Sequence, residues 1–408
     1  MGLNPGDRLP SCRAWSIALG VPSSAVHRGL MLLQQKGIVF SRTRSGWFWG
    51  AKDAQEATPI APSHTRSRPS AHFAPEVLFP LLPVPNTPEH PDGMESWSTK
   101  IFYSIAQKLG EKDIRFSLLH DPQKLESSDL PEMTVRQIEA MERPPLGVIL
   151  FSSHGIESFL DWLDKRGIPY LTIGPVSCAQ TENFVGTNFN LMGRMAGLAM
   201  SACEFERVLY LYSDFRLMPT QRQLFEGFCS GFAESTGRLP AALQFGFIAD
   251  SPQEFGYRAM RDYLDRHHQP PEAVFACGDY VAIGAIKLLA ERGISCPQDV
   301  SVIGTTGLEV SGIVRPGLTT IKQPMEQIGA LAVEKLLQMR RSLTQKFPGI
   351  FLQPELIFRE SFVSTPDLLK TLRESFPGLR ITDESTGATM AAAGGNSTDV
   401  ALAPVSVP

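Results

Sequence analysis

The sequence predicts an α/β protein: two lobes of parallel β-sheet, preceded by a small helical head that ends in a hairpin. Three observations lead there. From Glu76 onward, near-continuous apolar runs such as "GVILF" and "VLYLY" alternate with amphipathic helical stretches, the pattern of strands covered on both faces. The alternation comes in two series, each long enough for a lobe. The N-terminal segment differs in charge: residues 1–53 carry Arg8, Arg13, Arg28, Lys36, Arg42, Arg44 and Lys52 against Asp7 and Asp53, a net +5 in a chain of net −4. A basic head on an acidic body suits a protein whose head alone meets a polyanion.

In the head, "LPSCRAWSIALG" starts at Leu9. Ser11 is a good helix N-cap, Trp15, Ala18 and Leu19 follow at helical spacing, and Gly20 supplies the stop. After Val21 and Pro22, "SSAVHRGLMLLQQKG" forms a second helix with Val26, Leu30 and Leu33 on one core stripe and Gly37 closing it. A strand "IVFS", a basic tip "RTRSG" and a strand "WFWG" complete a winged helix-turn-helix over residues 1–52. A helix so placed fits the major groove of duplex DNA and offers its exposed N-terminal side chains to base edges, here Ser23, Ser24, His27 and Arg28. Arg42 and Arg44 reach backbone phosphates or the minor groove, and Gly46 allows close approach.

The run "PGDRLPSCRAWSIALGV…VHRGLMLLQQKGIVFSRTRSGWF" resembles the GntR family of bacterial repressors from Pro5 to Trp49, without gaps. The resemblance implies that Arg13 contacts backbone, that Ser23, Ser24 and His27 occupy the reading positions, and that Gly46 is the wing contact. Pro22-Ser23 stands where the family has Ser-Arg, and His27 where arginine is common, which implies an unusual operator. The family also carries a helix before "PGDRLPS", whereas only "MGLN" precedes it here. That helix would cover Trp15, Leu19 and Leu30, each worth roughly 1.5–3 kcal/mol when buried. The expectation is a start upstream of Met1.

Residues 53–75, rich in Pro, Ser and Ala and without apolar period, read as a linker. The body follows in order: strand "EVLFPLLPV", helix "SWSTKIFYSIAQKLGEKD", strand "IRFSLLHD", helix "MTVRQIEAME", strand "LGVILFSS", helix "IESFLDWLDKRG" and strand "PYLTIG". The second series runs from "RVLYLYSD" through helix "QRQLFEGFCSGFAESTG", strand "ALQFGFIAD", helix "SPQEFGYRAMRDYLDRH", strand "AVFACGD" and helix "VAIGAIKLLAERG" to strand "VSVIGTT". Two series imply a cleft, with ligands at the carboxyl ends of the strands. Residues 364–408 hold a short helix candidate, "DLLKTLRESF", then a low-complexity tail expected to be disordered.

Residues 76–363 look like the effector domain of the LacI/GalR family, itself built like periplasmic sugar-binding proteins. The family's "G-x-x-x-P-x-D-x-S-V-x-G", "P-x-L-T-T-I-x-Q-P" and closing "R-E-S" are present, and "ND-x-x-A-x-G-A" lacks only its Asn. The first lobe matches more loosely through "GVILF", "GIPYLTIG" and "VGTNFNLMGRMAG". The resemblance implies a two-lobed periplasmic-binding-protein-like domain behind the winged head, an arrangement similar to arabinose-type repressors. Its effector-binding positions fall on Leu224 (arginine in the family, with Arg222 two residues earlier), Thr306 (aspartate), Gly278 (asparagine) and Asp279; Gly174, closing "GIPYLTIG", is the first-lobe candidate. Asp279 reads equally as a helix N-cap. Losing an Arg and an Asp removes charge-assisted hydrogen bonds of about 1.5–3 kcal/mol each, so an ordinary sugar should bind poorly.

No run approaches the roughly 20 apolar residues of a membrane span, and the N-terminus is unlike a secretory signal, so the expected compartment is the cytoplasm. The six cysteines are scattered and His267-His268 reads as a helix end, so neither a metal site nor a cofactor is expected. No nucleophile set or phosphate loop stands out, and His120-Asp121 reads as a strand-end loop, so catalysis is not expected. The sequence therefore points to a ligand-responsive regulator of carbohydrate-related genes, a repressor binding double-stranded DNA as a homodimer and a sugar or related metabolite between its lobes. A cytosolic small-molecule (sugar) receptor with degenerate or no DNA binding is the alternative.

Overall fold

The computed structural model describes residues 9, 30, 39–42, 46–49, 76–80, 97–119, 130–151, 156–177, 179–212, 219–237, 241–244, 251–267, 269–342 and 346–385. The chain divides into two compact units, Met1–His72 and Phe73–Pro408.

In the first unit, β1 (Val39–Arg42) pairs antiparallel with β2 (Gly46–Trp49), Arg42 opposite Gly46. Each strand lies one residue from its predicted place. Phe40 stacks on Phe48 with centroids 5.5 Å apart, and the Leu9 N–H donates to the Trp47 carbonyl at 2.8 Å. Leu30 is helical and buried. The other residues of both predicted helices, Arg13, Ser23, Ser24, His27, Arg28, Arg44 and the linker lie outside the described residues.

The second unit has two sheets. The first contains β3 (Glu76–Pro80), β4 (Arg115–Leu119), β5 (Gly147–Phe151), β6 (Tyr170–Ile173), β7 (Phe184–Thr187) and β13 (Ile350–Leu352), in the order β13-β7-β6-β5-β3-β4 and parallel throughout. Its apolar runs divide by alternation. Ile149, Phe151, Leu171 and Val185 face α1 (Trp97–Gly110) and α9 (Met325–Ser342). Val148, Leu150 and Tyr170 face α2 (Leu130–Ala140) and α3 (Glu157–Lys165).

The second sheet contains β8 (Val208–Tyr212), β9 (Ala241–Gln244), β10 (Ala273–Ala276), β11 (Ser301–Thr306), β12 (Thr319–Lys322), β14 (Glu355–Phe358) and β15 (Arg380–Asp383), in the order β15-β14-β12-β11-β10-β8-β9. Only the β12–β14 pair is antiparallel. Val208, Tyr210 and Phe275 pack under α4 (Phe189–Ala202), α5 (Pro219–Thr236) and α10 (Pro366–Ser375). Leu209, Leu211 and Val274 pack under α6 (Pro252–Arg266) and α7 (Asp279–Glu291), and a short α8 (Val310–Ile313) follows β11.

The fold runs past the predicted boundary at residue 363. Residues 364–385, expected as part of the tail, hold α10 and β15. Thr365 caps α10 by accepting the Leu368 N–H at 3.1 Å, β15 pairs with β14, and Leu368, Leu372, Phe376 and Ile381 enter the second-lobe core. Their short apolar pattern, two leucines one turn apart and a lone isoleucine in "RITD", is too sparse to show this without the face they cover. Residues 386–408 lie outside the described residues.

Candidate ligand cleft

The chain passes between sheets three times: from β7 to α4, from β12 to α9, and from β13 to β14. Each crossing leaves at the end of its strand, so the carboxyl ends of β7 and β13 in one lobe meet that of β12 in the other. Such edges gather ligands, because loops and helix N-termini converge there. The crossings are bonded together. Buried Thr187 donates its hydroxyl to Gln323 Oε1 at 3.1 Å, and the Asn188 N–H donates to the Leu352 carbonyl at 3.3 Å. The Asn188 side chain caps α4 by accepting the Leu191 N–H at 2.9 Å. The Gln323 N–H donates to the Thr306 carbonyl at 3.1 Å, which ties the crossing to the end of β11. Three short connections that share few bonds make a hinge on which lobes can close over a ligand.

On the second-lobe side, Gly278, Asp279 and Thr306 come together at the ends of β10 and β11. Gly278 is the N-cap residue of α7, extended and without a side-chain cap bond. Asp279 is therefore not the helix cap that the sequence allowed. It is buried and turned to its neighbours: one carboxylate oxygen accepts the Thr320 hydroxyl at 2.6 Å, the other the Leu308 N–H at 2.7 Å. Gly304 leaves it room, since a Cβ there would stand 2.6 Å from Asp279 Oδ1. Thr306 has φ 125°, a region costly for a β-branched residue, and Gly307 follows at φ 76°.

Burial pushes the Asp279 carboxyl up to about 7, against the opposing pull of the Thr320, Leu308 and Gly307 hydrogen bonds and the Arg359 charge. The folded chain thus holds this proton more tightly than an unfolded chain, where the group titrates near 3.8. Its contribution to stability is full below that value and is lost as pH rises through about 7, at up to about 1.4 kcal/mol per pH unit. Asp279→Asn is expected to remove this slope. Urea midpoints between about pH 5 and 7 check it, and parallel slopes for variant and wild type would refute it.

The other candidates separate. Gly174 ends β6 at φ 82° and donates its N–H to the Val185 carbonyl at 2.9 Å, so it sits at the first-lobe carboxyl edge. Leu224 is 1% exposed and packs in the second-lobe core, so its side chain is no cleft contact. Arg222 donates to Glu226 one turn on along α5 at 2.7 Å, which occupies its guanidinium Nε locally. His267 ends α6, stacks on Tyr263 with centroids 4.1 Å apart, and has Nδ1 2.9 Å from the Tyr263 carbonyl. His120-Asp121 lies outside the described residues.

Gln323 and Thr187 were not singled out by the sequence reading, although "T-T-I-x-Q" carries the first of them. The closing "R-E-S" also gains a reason. Arg359 donates to the Leu318 carbonyl at 2.9 Å and to Ser311 Oγ at 3.2 Å, while Ser361 donates to the Val302 carbonyl at 2.7 Å and accepts the Thr319 N–H at 2.8 Å. Two side chains thereby fasten β14 to β11, β12 and α8.

Residues 203–362 match the periplasmic binding protein-like domain. That stretch takes in β8 to β12 and β14 of the second sheet, together with α9 and β13 of the first lobe. The ribose operon repressor of Haemophilus influenzae is 32% identical over 179 residues, 43% of this chain and 52% of its own. The repressor PurR of Edwardsiella ictaluri is 40% identical over 117 residues, 29% of this chain and 34% of its own. The chain thus spans about half or less of the length of the curated relatives it matches. A LacI family transcriptional regulator from Enterococcus faecium, solved with bound ribose, superposes with TM-score 0.57 at 20% identity, over 71% of this chain and 99% of its own. A LacI family regulatory protein from Chloroflexus aggregans gives TM-score 0.58 at 18% identity, over 71% and 98%. These likenesses show the two-lobed periplasmic-binding-protein-like fold. Among the described residues no helix is long and apolar enough to cross a membrane, and no group of three or more acidic, His or Cys side chains could hold a metal.

Proposed function

We propose that the chain is a ligand-responsive, DNA-binding transcriptional repressor of the cytoplasm, rather than an enzyme. The observation that carries this reading is the two-lobed body with its three-crossing hinge, a device that turns ligand binding into lobe movement. The relatives named as repressors support it, as does the basic head with its β1–β2 hairpin. The head is read as a GntR-type winged helix-turn-helix using Arg13, Ser23, Ser24, His27, Arg28, Arg42, Arg44 and Gly46. Gly174, Gly278 and Thr306 line the effector cleft, and Asp279 positions its second-lobe wall.

The working unit is a homodimer, with two heads about 34 Å apart on successive major-groove faces. Tyr103 on α1 and Ile313 on α8 are 67% and 73% exposed, large apolar side chains that a second copy would cover. The Lys100–Glu309 ion pair at 3.8 Å links α1 to the residue that precedes α8.

Selection of duplexes from a random pool, followed by a salt titration of the best one, tests the reading. Log affinity is expected to fall linearly and steeply with log salt, as phosphate contacts require. The same preparation should sediment as a dimer, and a bound effector should change DNA affinity by about 5–150-fold. Failure to retain any duplex at low salt points to a receptor instead.

A further inference from the structure

The second-lobe wall holds polar atoms that the protein does not satisfy. Gln221 lies in the first turn of α5, and because β8 and β9 are parallel and joined by α5, that turn stands at the carboxyl edge of β8. Gln221 is 9% exposed, on the stripe that continues through Leu224 and Phe228, yet its Oε1 has no hydrogen-bond partner. The Tyr210 hydroxyl, fully buried in the same layer, also has none. Buried polar atoms are nearly always paired, so an orphan acceptor at a ligand edge calls for a cause.

Their surroundings are aromatic. Tyr210 and Tyr212 stack at 5.3 Å, and Phe225 of α5 lies on both, at 5.5 and 5.7 Å. Half-buried Cys277, at the end of β10, adjoins them. Two charged groups of this wall are turned to other partners: Arg222 to Glu226, and Asp279 to Thr320 and Leu308.

We propose that this wall takes an uncharged, flat aromatic ligand that donates an N–H or O–H to Gln221 Oε1 and stacks at the Tyr212–Phe225 edge. The inference rests on the reading of the cleft as the effector site. A flat ring matches the aromatic edge, a donor matches the orphan acceptor, and an uncharged ligand suits an edge where Arg222 of α5 is already engaged by Glu226.

Calorimetric titration of the full-length chain with benzamide and indole, against D-ribose and glucose 6-phosphate, tests the ligand class. Benzamide or indole is expected to bind at up to millimolar concentration and the two sugars not to. Gln221→Leu is expected to weaken that binding about tenfold, the loss of one hydrogen bond, while melting no lower than wild type because it removes a buried orphan. Binding of either sugar in preference to the rings, silence from both rings, or ring binding indifferent to Gln221→Leu overturns the proposal. Tyr212→Leu, which keeps the orphan acceptor but loses the stack, should weaken the rings as well and guards against a misfolded first variant. Ring binding that depends on Gln221 in a chain retaining no duplex would leave the ligand class standing and remove the regulator.

Discussion

Gly227→Val is expected to abolish cooperative folding of the second lobe. Helices α4 and α5 each carry glycines four residues apart, Gly193 and Gly197 on one, Gly227 and Gly231 on the other, and the two rows face each other. A Cβ at Gly227 would stand 1.9 Å from the Asn190 carbonyl oxygen, and one at Gly193 2.0 Å from that of Leu224. At Gly197 and Gly231 the nearest atoms are the Phe228 and Arg194 carbonyl oxygens, each at 2.3 Å. All four obstacles are backbone, so no side chain can swing aside. Overpacking that side chains can absorb already costs about 1–3 kcal/mol. Here the helices themselves must part, and Phe228, Phe232 and Met195 between them lose contact. Against a stability of about 5–15 kcal/mol, that loss is decisive. Thermal melts followed by near-UV circular dichroism check it, with Gly110→Ala as control, since a Cβ there meets nothing within 4 Å. A valine variant melting within a few degrees of that control would contradict the backbone contact.

Truncation after Val363 is expected to be nearly as severe. It removes Leu368, Leu372, Phe376 and Ile381, all buried, and uncovers Phe358 and Phe362, which are 0% and 2% exposed. At about 1.5–3 kcal/mol for each large apolar side chain, the four contribute about 6 kcal/mol at the low end, which exceeds a marginal reserve. The cut also strips β15 from β14 and leaves an open edge, which invites aggregation. Arg359 would lose Glu384, its partner at 2.8 Å, and with it part of the clasp on α8. Truncation after Ser385 is the matched comparison. The shorter chain should be insoluble or melt far lower, and equal melting of the two would show that α10 and β15 are ornamental.

The body was legible because its signals are local. Runs such as "VLYLY" and "GVILF" demand cover on both faces, so β8, β5 and the helix α3 that follows β5 could be placed from periodicity alone. The motifs "P-x-L-T-T-I-x-Q-P" and "R-E-S" were visible as strings, but the reason for them was not. Gln323 matters because Thr187, 136 residues away, reaches it, and Ser361 because it closes on Val302 and Thr319. The resemblance put Leu224 at a ligand position, whereas the structure buries it in the core. Its neighbours on α4, which lie on another stretch of chain, decide which way it faces.

By itself, the sequence determined the two α/β series, the order of their strands along the chain and the contrast between a basic head and an acidic body. Those follow from hydrophobic period and charge, which each residue carries with it. Only the tertiary structure decided that Asp279 ties β12 to the loop after β11 rather than capping a helix, that residues 364–385 belong to the second lobe, and that β13 returns to the first. Each of these depends on a contact between segments far apart in sequence, and burial, not composition, sets the free energy of a carboxylate, a leucine or an edge strand.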